Sequence, residues 1–201
     1  MASIEDIERL STPAIFRDDR VFFTELVEMS ANGRHWFGGE LNMAVAGLPH
    51  GPHALHRVVT IDLTDQRLGI VAANLKHLPL VFGMRFEGCD LTYEVASDQS
   101  ILIKRSEQQR SSEDWPYQGF PDTLPQFGLR LRDPMSMPLD EFASMIHQGL
   151  DAAEPDDLIV VVPSVSDYGG VSLWGEHGWG VQIVFMFSRS DRTVFAISQT
   201  D

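Results

Sequence analysis

The sequence predicts an α+β domain with a largely antiparallel sheet, two amino-terminal helices, and one helix packed before a carboxy-terminal strand and hairpin. Three patterns lead to this fold class. Between residues 54 and 106, short apolar runs alternate with turn residues at the spacing of an antiparallel meander. Residues 139–150 repeat apolar side chains at helical spacing. Residues 157–201 hold the two most apolar strand candidates of the chain.

Two short helices are expected at the amino end. The first begins after Ser3, whose oxygen can accept from free backbone amides at a helix start, and it ends before Pro13. The second covers residues 18–30, with acids at its start and Asn32-Gly33 at its stop. The run VFFTELV inside it also fits a strand, which is the competing interpretation.

The middle of the chain is expected to be β-structure. Residues 36–43 are interpreted as a strand or a bulged turn. A long surface loop is predicted over residues 105–125, where charge, serine and proline replace the alternating pattern. An edge strand at 127–131 follows it. The meander itself is predicted to contain strands at residues 59–63, 68–73, 80–86, 91–95 and 101–104.

The last third contains the clearest elements. A helix is predicted over 138–150, because proline suits its first turn, acids suit its positive end, and Pro155 stops it. Residues 157–162 are a β-branched run of strand length. The strand at 181–187 is apolar on both faces, which predicts a position in the middle of the sheet. A polar turn connects it to a strand at 193–198 as a hairpin.

Composition restricts the classes of protein that fit. The chain has 201 residues, 43% of them hydrophobic, which predicts a single globular domain over residues 1–201. The formal net charge of −14 argues against nucleic acid or an anionic membrane as partner. Cys89 is the only cysteine, so no intrachain disulfide can form. The start MASIEDIERL lacks the basic and apolar runs of a signal peptide, and a cytoplasmic location is expected.

The loop at 168–180 is the densest mixture of glycine, aromatic and ionisable residues in the sequence. Aromatic side chains of this kind form flat surfaces for a ligand ring or a partner. An adjacent carboxylate and imidazole would also suit proton transfer near neutral pH, if a glycine-rich turn directs both into a cleft. The predicted ligand- or partner-binding residues are Tyr168, Trp174, Glu176, His177 and Trp179.

Three histidines in the run PHGPHALH form a second candidate site. His50, His53 and His56 are imidazoles of the type that ligate zinc. The Gly51-Pro52 pair excludes a regular helix, and in a strand His53 and His56 point to opposite faces. Solvated or loop histidines are therefore the favoured interpretation, with a metal site as the alternative.

A non-enzymatic cytoplasmic binding protein without a cofactor is the expected function. The sequence contains no G-x-S-x-G, S-x-x-K or phosphate-binding glycine motif. Cys89 has an acid beside it, which disfavours a nucleophilic thiolate. The expected partner is a basic protein or a small ligand, and a homo-oligomer that covers the apolar hairpin fits either. The alternative is a metal-dependent hydrolase with ligands among His50, His53, His56 and His177, and with Glu176 as general base.

Overall fold

The structure is a computed structural model that describes residues 11–29, 34–47, 55–70, 72, 74–84, 88–109, 120–146, 153, 157–163, 168–173 and 181–199. Its elements, in chain order, are β1 (Ala14–Arg17), β2 (Arg20–Val27), β3 (His35–Phe37), β4 (Ala44–Ala46), β5 (His56–Asp62), β6 (His77–Phe82), β7 (Gly88–Ser97), β8 (Ser100–Gln109), β9 (Phe127–Leu131), β10 (Met135–Ser136), α1 (Leu139–Met145), β11 (Leu158–Pro163), β12 (Gln182–Ser188) and β13 (Thr193–Gln199).

All thirteen strands belong to one mixed sheet. Its order is β4-β8-β7-β13-β12-β11-β1-β2-β9-β3-β5-β6, and β10 pairs with β2 beside β9. The pairings are antiparallel except that of β4 with β8. The first strand therefore pairs with β11 from the last third of the chain, and β7 from the middle pairs with β13 near the end.

The predicted α+β class is wrong, because the described chain is a large β-sheet with one short helix, α1. The helix expected over 18–30 is the β1–β2 hairpin. Asp18 and Asp19 form its two-residue turn, with φ angles of 50° and 53°. The neighbours Val21 and Phe22 are buried in opposite hydrophobic clusters, which is the period of a strand. The helix expected after Ser3 lies outside the described residues.

Four of the five predicted meander strands correspond to β5 to β8, and the strand predicted at 68–73 is wrong. Residues 64–69 are turns instead, and Gly69 has a φ of 63°. Two other boundaries differ from expectation. Strand β3 ends at Phe37, because Gly38 takes a φ of 68° and lies against the Pro125 carbonyl, where a Cβ would not fit. The region predicted as a loop from 105 begins with the end of β8, and residues 110–119 lie outside the described ranges.

The carboxy-terminal predictions are confirmed where the structure describes them. Strand β12 lies between β11 and β13, as its two apolar faces indicated. Strand β9 is also internal, between β2 and β3, and the prediction of an edge position there was wrong. The predicted helix at 138–150 is confirmed as α1 up to residue 145, although residues 147–150 lie outside the described part.

Two hydrophobic clusters occupy the two faces of the sheet. The larger one contains Val160 and Val162 of β11 and Phe185 of β12. The smaller one lies on the opposite face, where α1 packs against β1 and β11. Phe142 of the helix stacks on Phe16 at a centroid distance of 4.9 Å. Strands β1, β11 and β12 are therefore covered on both sides.

The two ends of the sheet approach each other around the larger cluster. Tyr93 of β7 reaches β6, accepting a hydrogen bond from Val81 N at 2.9 Å and donating one to Pro79 O at 3.1 Å. Phe82 of β6 packs edge-on against Phe185 of β12. The sheet thus curls around its own core, and the turn between β5 and β6 lies at one end of it. In the described ranges, no helix has the length and apolar character needed to span a membrane.

Candidate functional site

A polar cavity of about 510 Å³ opens beside the turn that follows β5. Arg34, which precedes β3, lines one side. Thr64, Asp65, Gln66 and Arg67 of the turn line the rest. Four of these five side chains are exposed and Asp65 is buried, with 3% of its surface exposed. The cavity therefore has an anionic group as its floor and cationic groups at its mouth.

Local hydrogen bonds fix the turn that carries the cavity. Asp62 ends β5, and its Oδ1 accepts from Thr64 N at 2.8 Å and from Thr64 Oγ1 at 2.6 Å. Such a side-chain bond two residues ahead replaces a backbone turn contact. Asp65 N donates to Asp62 O at 3.2 Å, and Leu68 N donates to Asp65 O at 3.0 Å. These bonds hold Asp65 in one position relative to the sheet.

A buried histidine joins the turn to β3. His35 Nε2 lies 3.0 Å from Asp65 Oδ2, and Asp62 N donates to His35 Nδ1 at 3.1 Å. Since Nδ1 accepts that bond, the proton of the neutral imidazole is on Nε2 and is donated to Asp65. Only 1% of the His35 surface is exposed. Both ring nitrogens thus have hydrogen-bond partners inside the protein.

Arg67 donates hydrogen bonds to the same carboxylate from the solvent side. Its Nε lies 3.0 Å from Asp65 Oδ1, and its Nη2 lies 2.5 Å from Oδ2. This two-point geometry is the strong form of an arginine–carboxylate pair. Arg67 Nη1 donates to Leu131 O at 3.2 Å, which ties the turn to the end of β9. The pair therefore fastens the turn to two different strands.

The pKa values of the two buried groups move in directions set by this packing. Burial raises the pKa of Asp65, but hydrogen bonds from Arg67 and His35 outweigh it and hold that pKa well below its ordinary range. Burial lowers the pKa of His35, and the bond to Asp65 compensates only in part. Near neutral pH the cluster is therefore an ionised carboxylate with a neutral histidine.

Arg34 is the least engaged cation of the cavity. Among the described contacts its one ion pair is with Asp65, where Nη1 lies 4.0 Å from Oδ1, beyond hydrogen-bonding distance. Its side chain is 55% exposed. By contrast, Arg130 and Arg132 of the neighbouring chain segment both donate to Glu25. Unlike these two arginines and Arg67, Arg34 makes no hydrogen bond among the described residues.

The arrangement suits binding better than proton transfer. A general base needs an unshared nitrogen or oxygen within reach of the substrate. Both nitrogens of His35 are used, and both oxygens of Asp65 accept several bonds. The cluster therefore positions the cavity wall, and the side chains that face an incoming molecule are those of Arg34, Thr64, Gln66 and Arg67.

Of the residues predicted in the loop at 168–180, the structure describes Tyr168. It is fully buried, stacks on Phe37 at a centroid distance of 4.1 Å, and donates to Pro163 O at 2.8 Å. It contributes to the larger hydrophobic cluster. Trp174, Glu176, His177 and Trp179 lie outside the described residues, so the binding role of the loop stays a prediction.

Of the three predicted metal-binding histidines, the structure describes His56. It is 2% exposed, its Nε2 lies 3.0 Å from Pro121 O, and its ring meets the edge of Phe120. A metal on Nε2 would have to replace that contact. His50 and His53 lie outside the described residues. Within the described ranges, no three His, Cys, Asp or Glu side chains are grouped as metal ligands.

The sequence predicted that Cys89 is not a nucleophile, whereas it did not reveal the cavity. Cys89 is buried, and burial raises the pKa of its thiol to about 11. The sequence indicated a turn between the strands predicted at 59–63 and 68–73, but not the site around it. His35 is thirty residues from Asp65 in the chain, and no local spacing reveals that contact. The sequence did contain one local signal for the site, because the charged residues Asp62, Asp65 and Arg67 cluster at this turn.

No protein-family model, curated protein or solved structure matches the chain.

Proposed function

We propose that the protein is a non-enzymatic cytoplasmic binding protein whose cavity at Arg34 and residues 64–67 receives a small ligand. The observation that carries this proposal is that the His35–Asp65–Arg67 cluster is saturated by internal hydrogen bonds. Its acid and imidazole are occupied by internal hydrogen bonds, while the cavity mouth keeps polar side chains exposed. Recognition needs such a rigid wall and accessible donors, and it needs no free base.

The loop at 168–180 and the acidic surface are the second part of the proposal. A net charge of −14 attracts basic partners over long range, and clustered tryptophans supply contact area. Replacing Trp174 and Trp179 together should abolish capture of a basic protein partner while the domain still unfolds cooperatively. Unchanged capture by the folded double variant would remove this loop from the proposal.

The cavity is tested by blocking it with a bulky side chain. The ¹⁵N-labelled protein is mixed with an extract of small cellular metabolites, and amide signals are followed by NMR. Binding should shift the amides of Thr64 to Arg67. In Gln66→Trp, the indole fills the cavity and the shifts disappear. Gln99→Trp is the matched control, because Gln99 is also an exposed glutamine in a turn, between β7 and β8.

Two outcomes would contradict the proposal. Shifts that persist in Gln66→Trp would place the ligand elsewhere. About one metal ion per chain in the dialysed, untagged protein, together with loss of a hydrolytic activity on its removal, would favour the metal-dependent hydrolase instead. That alternative rests on His50, His53, His177 and Glu176, all outside the described residues, together with His56.

A further inference from the structure

Hydrogen-bond donors exceed acceptors at the mouth of the cavity. The carboxylate of Asp65 accepts from His35 Nε2 and from Arg67 Nε, Nη2 and backbone N. The Oδ1 of Asp62 accepts twice from Thr64. These acceptors are occupied by the protein itself. A guanidinium has five N–H donors and no acceptor, and those of Arg34 make no hydrogen bond among the described residues.

Arg34 cannot satisfy its charge on the cavity floor. Arg67 already holds Asp65 at both oxygens, so Arg34 stays at 4.0 Å from Oδ1 as the second arginine of a site with one carboxylate. The carboxylate of Glu25 accepts from Arg130 and Arg132 together, so it is also occupied. An anion that enters the cavity would supply the acceptors that Arg34 does not find among the described residues.

We propose that the cavity binds the oxyanion group of a small ligand, a carboxylate or a phosphate, through the guanidinium of Arg34. This inference rests on the proposed binding function and adds the ligand's chemical class. A planar guanidinium meets a carboxylate or phosphate at two points, which is its strongest contact. The side-chain amide of Gln66, exposed at the same mouth, is a further donor within the cavity.

The charges around the site limit the affinity that the cavity can have for an anion. Arg34 and Arg67 face Asp65, Asp133 lies near enough to Arg67 to raise its pKa, and Asp62 lies beside His35. The whole chain carries −14, so long-range steering opposes an anion. Affinity therefore comes from direct contact with Arg34, and replacing that residue should remove most of it.

The test titrates the full-length ¹⁵N-labelled protein with inorganic phosphate and, separately, with acetate at constant ionic strength. Saturable shifts of the amides of Thr64 to Arg67 are expected in at least one titration, and the titration that shifts them identifies the oxyanion. Arg34→Gln should weaken that binding about tenfold or more, because it removes hydrogen bonds to a charged group. Arg34→Lys, which keeps the charge and loses the planar fork, should weaken it less.

Arg105→Gln is the control for net charge. Arg105 is 63% exposed on β8, is paired with Glu107, and lies outside the cavity lining. Equal weakening in Arg105→Gln would show non-specific charge attraction and overturn the inference. Absence of saturable shifts with both anions would also overturn it. If neutral or cationic metabolites still shift the same amides, the binding function stands and the oxyanion assignment fails.

Discussion

At the residue scale, one carboxylate organises the end of the sheet. Asp65 is 3% exposed and is ionised because Arg67 and His35 donate to it. Through these two partners it connects the turn after β5 with β3 and with the end of β9. A single side chain thus holds the cavity wall in place. Its removal should lower both the stability of the protein and its affinity for the ligand.

Asp65→Asn should lower the free energy of unfolding by about 2–3 kcal/mol. The asparagine amide places a donor against either His35 Nε2–H or Arg67, so at least one buried donor loses its acceptor. Urea unfolding followed by tryptophan fluorescence measures the difference. Asp90→Asn, at an exposed acid on β7, should change stability by less than about 0.5 kcal/mol. Equal effects of the two variants would contradict the structural role of Asp65.

The stability difference between wild type and Asp65→Asn should depend on pH. The folded pKa of Asp65 lies below its ordinary value of 3.8, so folding favours the ionised form. The contribution of the carboxylate is complete above pH 3.8 and is lost as the pH falls through the folded pKa. Unfolding curves of both proteins at a series of pH values test this. A difference that grows on acidification below pH 3.8 would show the opposite sign.

At the scale of the element, the β1–β2 hairpin shows where local signals mislead. Two acids followed by apolar residues resemble a helix start, yet Asp18 and Asp19 both have positive φ and form a two-residue turn. Positive φ at both central positions defines a type I′ turn, whose twist matches that of paired strands. The choice is made by long-range pairing, because β2 is held between β1 on one side and β9 and β10 on the other.

Asp19→Gly should stabilise the hairpin by about 0.5 kcal/mol. Glycine removes the cost of the left-handed conformation, and its greater freedom in the unfolded chain offsets part of that gain. The backbone bond from Met137 N to Asp19 O is retained. Asp19→Val should destabilise by about 1–2 kcal/mol, since β-branched residues tolerate positive φ poorly. Unfolding midpoints of the three proteins give the order, and a valine variant at least as stable as wild type would refute the turn.

Strand β6 illustrates a second device at this scale, the protection of a sheet edge. It is the last strand in the order of the sheet, and proline at position 79 already removes one backbone donor. The Tyr93 hydroxyl accepts from Val81 N and donates to Pro79 O. Lys76 N and His77 N both donate to Asp98 Oδ1 at the start of the strand. Side chains of the β7–β8 hairpin thus occupy groups that another strand would otherwise use.

Tyr93→Phe should therefore lower the free energy of unfolding by about 2–3 kcal/mol, although it removes only one oxygen atom. The substitution leaves the amide of Val81 and the carbonyl of Pro79 buried without their partner. Urea unfolding gives the stability, and hydrogen exchange should show faster exchange of the Val81 amide. Wild-type stability together with unchanged protection of that amide would refute the capping role.

The sequence predicted elements whose patterns are local and missed those decided by distant contacts. Strands β11, β12 and β13 and helix α1 follow from apolar periodicity, because their burial depends on alternation within each segment. Residues 68–73 resemble a strand, but Leu68 is buried within a turn whose bonds come from Asp62 and Asp65. The site was missed for the same reason, since His35 meets Asp65 only when β3 pairs with β5.

At the scale of the whole molecule, the fold depends on contacts between the two ends of one sheet. Strands β12 and β13 connect the half that contains β7 and β8 with the half that contains β1, β2 and the cavity. The core closes where Phe82 of β6 meets Phe185 of β12 at 6.4 Å, between strands that are far apart in the sheet order. Folding must therefore bring distant segments together, which is typical of slowly folding β-proteins.

Phe185→Ala tests this closure against a matched change on the neighbouring strand. Phe185 is fully buried, so its truncation should cost about 3–5 kcal/mol and should speed hydrogen exchange in β6 as well as in β12. Phe195 of β13 is only partly buried and pairs with Met186, which packs on the smaller cluster, so Phe195→Ala should cost less and leave exchange in β6 unchanged. If both variants loosened only their own strands, β6 would be held by β5 and Tyr93 alone. The sheet would then be two layers joined at one edge, and Phe185 would not be the contact that closes it.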